Sequence, residues 1–165
     1  MSFFRAALII HFMVHCRTFF LLLLFFSASN CSEAATVKII KVLPHYLDLE
    51  GRHSISPSLY DRDAYQAYLR NHPAERSALR FDIQWKAKSV DAPKLKLRME
   101  LRTSKGAIGK PLVLEMSVKS SRWFSHWSAL TVVGQDYQQM GDLVAWRATL
   151  WNGEQQLAEQ KSFLW

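Results

Sequence analysis

Lys94-Leu95-Lys96-Leu97-Arg98-Met99-Glu100-Leu101-Arg102 alternates charged and apolar side chains without a break. Successive side chains of an extended chain point to opposite sides, so this period of two predicts a strand with one face in a core and the other in water. The stretch before it repeats the pattern: Leu79, Phe81, Ile83, Trp85 and Ala87 alternate with Arg80, Asp82, Gln84, Lys86 and Lys88. Asp91 to Pro93 supply the connection between the two.

Working outward, Gly106 and Gly109 mark a turn, and Leu112, Leu114, Met116 and Val118 share one side of the next strand. Residues 127–133 form another strand, 134–142 read as a loop, and 143–151 and 157–165 pair as a hairpin about Asn152-Gly153, since both residues tolerate the positive φ of a tight turn. The apolar end, Phe163 to Trp165, is expected to be docked in the last strand. If that strand lies at an exposed edge, it offers a partner a site for strand addition.

Towards the N-terminus, residues 36–49 are rich in β-branched side chains and interrupted by Pro44, which predicts an edge strand because proline donates nothing to a ladder. Residues 58–70 predict the single helix, with Ser58 as N-cap and Asp61 three positions on. Tyr60, Ala64, Ala67 and Tyr68 fall on one face and are expected to pack on a sheet.

Seven strands at even spacing with one short helix between the first and second predict a mainly β domain, an antiparallel β-sandwich. The count resembles the immunoglobulin and fibronectin type III plans. The resemblance is architectural: a cysteine pair is missing, and Tyr137 lies too far ahead of the strand at 143 for the tyrosine corner of that class. The alternative is a small open β-barrel plugged by the helix.

Residues 1–34 differ in kind from the rest. Seven of the ten Phe lie there, whereas all six Trp and all five Tyr lie beyond. The apolar run 19–26 follows His15 and Arg17 and precedes Ser27, Ala28 and Ser29, the order of a secretory signal peptide. The run is too short for a membrane span, which takes about 20 residues. Ser32 and Ala34 stand at minus three and minus one, placing cleavage after Ala34 with Ala35 as the second choice. An earlier apolar stretch, 6–14, makes the leader long, and a start at Met13 restores ordinary proportions. The rival is an uncleaved anchor that uses both stretches. A lipidated Cys31 is disfavoured by Asn30 immediately before it.

The expectation is therefore a signal peptide over 1–34 and one β-sandwich domain over 35–165, periplasmic or extracellular. Cleavage removes Cys16 and Cys31, so the mature domain has neither a disulfide nor a thiol nucleophile. It also removes Arg5, Arg17 and Glu33, two cations and one anion, which takes the formal charge from +7 to +6. A net positive domain favours anionic partners.

Two groups of residues are candidates for binding. Arg80, Lys86, Lys88, Lys94, Lys96, Arg98 and Arg102 form one basic surface if their strands pair within a sheet, and two smaller ones if the strands lie in opposite sheets. Trp123, Phe124, His126 and Trp127, with Arg122, form a platform on which a sugar ring can stack, or else close one end of the core. His45, His53, His72 and His126 are scattered, with His53 near Asp48 and Glu50 the nearest approach to a site. Zinc spacing, a nucleophile elbow and a phosphate loop are all missing.

The reading is a non-enzymatic exported domain, without metal or cofactor, that binds an envelope or extracellular protein or an anionic polymer. Nucleic acid is not expected as a partner, and a membrane is involved only through the leader. A carbohydrate-binding module built on Trp123, Phe124 and Trp127 is the alternative, and a hydrolase whose groups meet only in the fold is the second.

Overall fold

In the computed structural model, which describes residues 36–88, 95–107, 110–119 and 124–165, the expected strands form two antiparallel sheets. The chain divides into two units, Met1–Ala34 and Ala35–Trp165, and only the second contains described residues. The expected leader, its expected cleavage point and both cysteines lie outside them. The strands are β1 (Thr36–Asp48), β2 (Arg76–Lys88), β3 (Leu95–Thr103), β4 (Leu112–Ser117), β5 (His126–Val133), β6 (Leu143–Asn152) and β7 (Gln155–Lys161). Helix α1 (Leu59–Asn71) follows β1 and helix α2 (Gly134–Met140) follows β5.

One sheet has the order β1-β2-β5 and the other β4-β3-β6-β7. Three strands in one sheet and four in the other, with the fourth strand beside the third, make a sandwich-like arrangement. Among the described residues the two sheets do not join into a barrel, and α1 packs beside β1.

The period of two explains the packing. Leu79, Phe81, Ile83, Trp85 and Ala87 of β2 and Leu95, Leu97, Met99 and Leu101 of β3 are all buried. They meet in one cluster with Val42, Leu130, Val132, Ala148 and Leu150, so the inner faces of both sheets share a core. At roughly 25 cal/mol per Å² of apolar surface removed from water, burying the large side chains Phe81 and Trp85 is a major stabilising contribution.

As Pro44 predicts, β1 is an edge strand and pairs only with β2. Its free edge is capped by a side chain. The backbone N–H of Tyr46 donates to Gln66 Oε1 at 2.8 Å, and Gln66 Nε2 donates to the carbonyl oxygens of Tyr46 (2.9 Å) and His53 (2.8 Å). The amide of Gln66 thus takes the place of a neighbouring strand, which blunts an edge open to association.

Helix α1 begins where its cap predicts, with the Asp61 N–H donating to Ser58 Oγ. Its docking face differs from the expectation. Tyr60 is 83% exposed and Tyr68 also faces solvent, while Gln66 and Leu69 are the buried residues. Polar anchoring rotates the helix: Gln66 holds β1, and Tyr65 donates to Asp48 at 2.7 Å.

The loop expected at 134–142 contains α2. Tyr137 and Met140 turn one face of this two-turn helix into the core. Gly141, at φ 72°, ends it where the chain meets the β3–β4 turn, and a Cβ there would lie 2.9 Å from Lys105 Cγ. Ser104 and Lys105 donate backbone N–H groups to the carbonyls of Asp142 (2.8 Å) and Met140 (3.1 Å), an approach that depends on glycine.

The terminal hairpin forms, with two corrections. Its turn is centred on Gly153-Glu154, Asn152 being the last paired residue of β6, and Gly153 supplies a positive φ (59°). The last strand stops at Lys161 instead of reaching Trp165. Phe163 and Leu164 are exposed, and Trp165 folds back against the outer face of the four-stranded sheet. The final strand β7 is an edge of that sheet.

Candidate functional site

Of the seven basic candidates, Arg80 and Lys86 lie on β2 and Lys96, Arg98 and Arg102 on β3, strands of different sheets, so of the two arrangements open to them the divided one holds. Lys94 and the side chain of Lys88 lie outside the described residues. On the four-stranded sheet the charges are compensated. Lys96 pairs with Glu115 at 2.9 Å, and Arg98 with Glu100 at 2.9 Å. Glu100 also accepts from Arg147 Nε at 2.5 Å, and it is only 6% exposed beneath the two arginines. Trp151 Nε1 donates to the buried Thr149 beside them. Arg102 stands apart from these pairs, its guanidinium 4.3 Å from the centre of the Trp165 ring.

The three-stranded sheet has a different outer face. Its register sets Lys38 of β1 opposite Lys86 of β2, and Gln84 of β2 between Lys41 of β1 and Trp127 of β5. Lys38 and Lys41 are exposed, Lys86 is half-buried, and Trp127 is 53% exposed. Among the described residues no carboxylate comes within 4.0 Å of any of the three amines. Lysine stems lie along apolar surface while their ammonium groups stay hydrated. This face therefore joins cations that make no ion pair among the described residues to an indole open to solvent.

The aromatic candidates separate. Phe124, 74% exposed, and Trp127 are available for contact. His126 is on the opposite side of β5, its ring stacked on the buried Trp85 at 5.0 Å between centroids, where it completes the core. Trp85 Nε1 donates to Ser128 Oγ at 3.0 Å. Trp123 and Arg122 lie outside the described residues.

Lys38 and Lys41 escape a reading by alternation. The ladder is irregular between Ile39 and Lys41, so positions 38 and 41 share a face although they are three positions apart. Only the run of β-branched residues interrupted by lysine hints at this.

Two histidines that looked scattered meet. The His45 and His53 rings are 5.3 Å apart, and His45 Nε2 lies 3.8 Å from Asp82 Oδ2, longer than a hydrogen bond. Burial lowers the pKa of His45 and outweighs the opposing pull of Asp82, which favours the neutral ring at neutral pH. Arg80, one of the basic candidates, is held by Asp82 at 2.7 Å.

Asp48, near His53 in sequence, is fully engaged elsewhere. Its carboxylate accepts from the backbone N–H groups of Glu50 (2.9 Å) and Arg52 (2.8 Å), from Arg52 Nε (2.9 Å) and from Tyr65. These donors hold its pKa down at about 2 against the cost of burial. Among the described residues no group of three or more His, Cys, Asp or Glu is placed to hold a metal ion.

The chain matches no known protein family, no curated protein and no solved structure. Its own faces are what indicate a role. Of these, the outer face of the three-stranded sheet is the candidate site, formed by Lys38, Lys41, Gln84, Lys86 and Trp127.

Proposed function

We propose that this is an exported, non-catalytic β-sandwich domain that binds an anionic macromolecule of the cell envelope or the secreted fraction. The observation that carries the reading is the row of Lys38, Lys41 and Lys86 beside Trp127, across three strands, with no carboxylate within 4.0 Å of the three amines among the described residues and with Asp82, on the same face, taken up by Arg80. A flat face of this kind suits an extended polymer: several separated cations steer and hold a chain of like charges, while the indole contributes apolar contact.

The test is binding to polygalacturonate and to polyglutamate at low salt. The Lys38→Gln/Lys41→Gln/Lys86→Gln variant is expected to bind at least about tenfold more weakly, and wild-type affinity is expected to fall steeply with added salt because exposed charges are screened. An unchanged affinity in the triple variant contradicts the reading.

The exposure of Trp127 favours a second reading, a carbohydrate-binding module. That reading predicts quenching of tryptophan fluorescence by a neutral polysaccharide, lost in Trp127→Ala and insensitive to salt. Export is supported by the leader alone. Intact-mass measurement of the exported protein is expected to give a chain beginning at Ala35, and a mass retaining residues 1–34 would contradict cleavage.

A further inference from the structure

On the other side of the sandwich, a cavity of about 740 Å³ opens where β3 enters its turn towards β4. Arg102, Lys110 and Arg147 line it together with Trp165 and the hydroxyl-bearing Thr103 and Ser104. The fold places these groups deliberately close. Arg147 pairs with Glu100 across the β3–β6 ladder, which sets it diagonal to Arg102 on the same outer face. The turn after β7 then returns over β6. Ser162 donates its N–H to the carbonyl of Trp146 at 2.9 Å, Trp146 N–H donates to Ser162 Oγ at 3.0 Å, and Trp165 N–H donates to the Ser162 carbonyl at 3.2 Å. The indole thereby reaches both arginines, with guanidinium carbons 4.3 and 4.8 Å from its centre.

A guanidinium stacked on an aromatic face keeps its N–H groups pointing outward in its own plane, so stacking orients the donors without consuming them. Arg147 gives part of its donor edge to Glu100. Arg102 and Lys110 have no carboxylate within 4.0 Å among the described residues. The cavity therefore holds a guanidinium lying over an indole and an ammonium, neither with a carboxylate within 4.0 Å among the described residues, beside a partly engaged second guanidinium. Its volume lies within the roughly 300–1,000 Å³ of small-ligand sites.

We infer that this cavity is a binding site for a sugar-sized organic anion, held through a carboxylate or phosphate by Arg102 and Lys110. The site is independent of the opposite face and does not rest on the function proposed for it. Calorimetric titration of the full domain with glucuronate and with glucose 6-phosphate tests the site and separates the two oxyanions. Saturable binding of at least one is expected, with glucose itself inert. Arg102→Gln and Lys110→Gln are each expected to weaken binding at least about tenfold, the loss of one charge-assisted contact. Lys110 is exposed on a turn, so its variant serves if Arg102→Gln fails to fold. The Lys38→Gln/Lys41→Gln variant is expected to bind as wild type. The inference is overturned if neither anion binds, if glucose binds equally, or if the folded Arg102→Gln and Lys110→Gln domains retain full affinity.

Discussion

Asp48→Ala is expected to lower the free energy of unfolding by about 3 kcal/mol, because it strips a buried acceptor from several donors at once. The carboxylate closes the turn after β1 through the N–H groups of Glu50 and Arg52, and ties that turn to α1 through Tyr65. Removing it leaves these donors to find water in a site where Asp48 itself was buried. The same contacts predict a pH dependence. The folded pKa of about 2 lies below the unfolded value of 3.8, so the stabilisation is complete above the unfolded value and disappears as pH falls through the folded one. At about 1.4 kcal/mol per unit, the wild type should lose about 2 kcal/mol across that interval. Asp48→Asn should lose that contribution from its profile. Urea titrations between pH 5 and pH 2 measure both effects, and parallel wild-type and Asp48→Asn curves would refute the assignment.

Glu100→Gln is expected to cost about 2 kcal/mol. A buried carboxylate that neutralises two guanidiniums is costly to desolvate, but removing it alone leaves Arg98 and Arg147 with only their longer contacts to Glu115 (3.8 Å) and Glu159 (3.9 Å). Both arginines keep about a third of their side-chain surface in water, which moderates the loss below that of a fully enclosed pair. A double-mutant cycle with Arg147→Gln measures the interaction. The account predicts that the second substitution is milder in the Glu100→Gln background than in the wild type. Strict additivity would mean that the pair contributes no coupling. Because Glu100 orients Arg147, the same variant should disturb the Trp165 cavity while leaving the three-stranded sheet unaffected.

Much of the fold was legible because the signal is local. Alternation over 79–88 and 94–102 identifies both central strands and the side of each that is buried, and Pro44 marks the edge. Alternation does not say which sheet a strand joins. A strand crossing from one sheet to the other has the same period as one pairing in a hairpin, and the single basic surface depended on that choice. Helix α2 was invisible for a related reason: Gly134 resembles a loop residue, and Val133 offers no capping side chain. The docking of α1 was misread because apolar periodicity gives no weight to Gln66, whose amide makes the decisive contacts with β1.

The candidate site was legible only in fragments. Lys86 and Trp127 were each singled out, but their common face arises from the β2–β5 register, and Lys38 and Lys41 join it only through the irregular ladder of β1. His126 and Trp127 are neighbours in sequence, but adjacency in a strand sends the two side chains to opposite faces. The cavity lined by Arg102, Arg147 and Trp165 draws on the third and sixth strands and the chain end, a convergence that no spacing rule contains.

Backbone amide chemical shifts followed during titration with polygalacturonate locate the surface that an anionic macromolecule occupies. Perturbations are expected to concentrate on Lys38, Lys41, Gln84, Lys86 and Trp127, on the outer face of the three-stranded sheet, whereas shifts confined to β3, β6 and β7, or none at saturating polymer, would exclude that face as the binding surface.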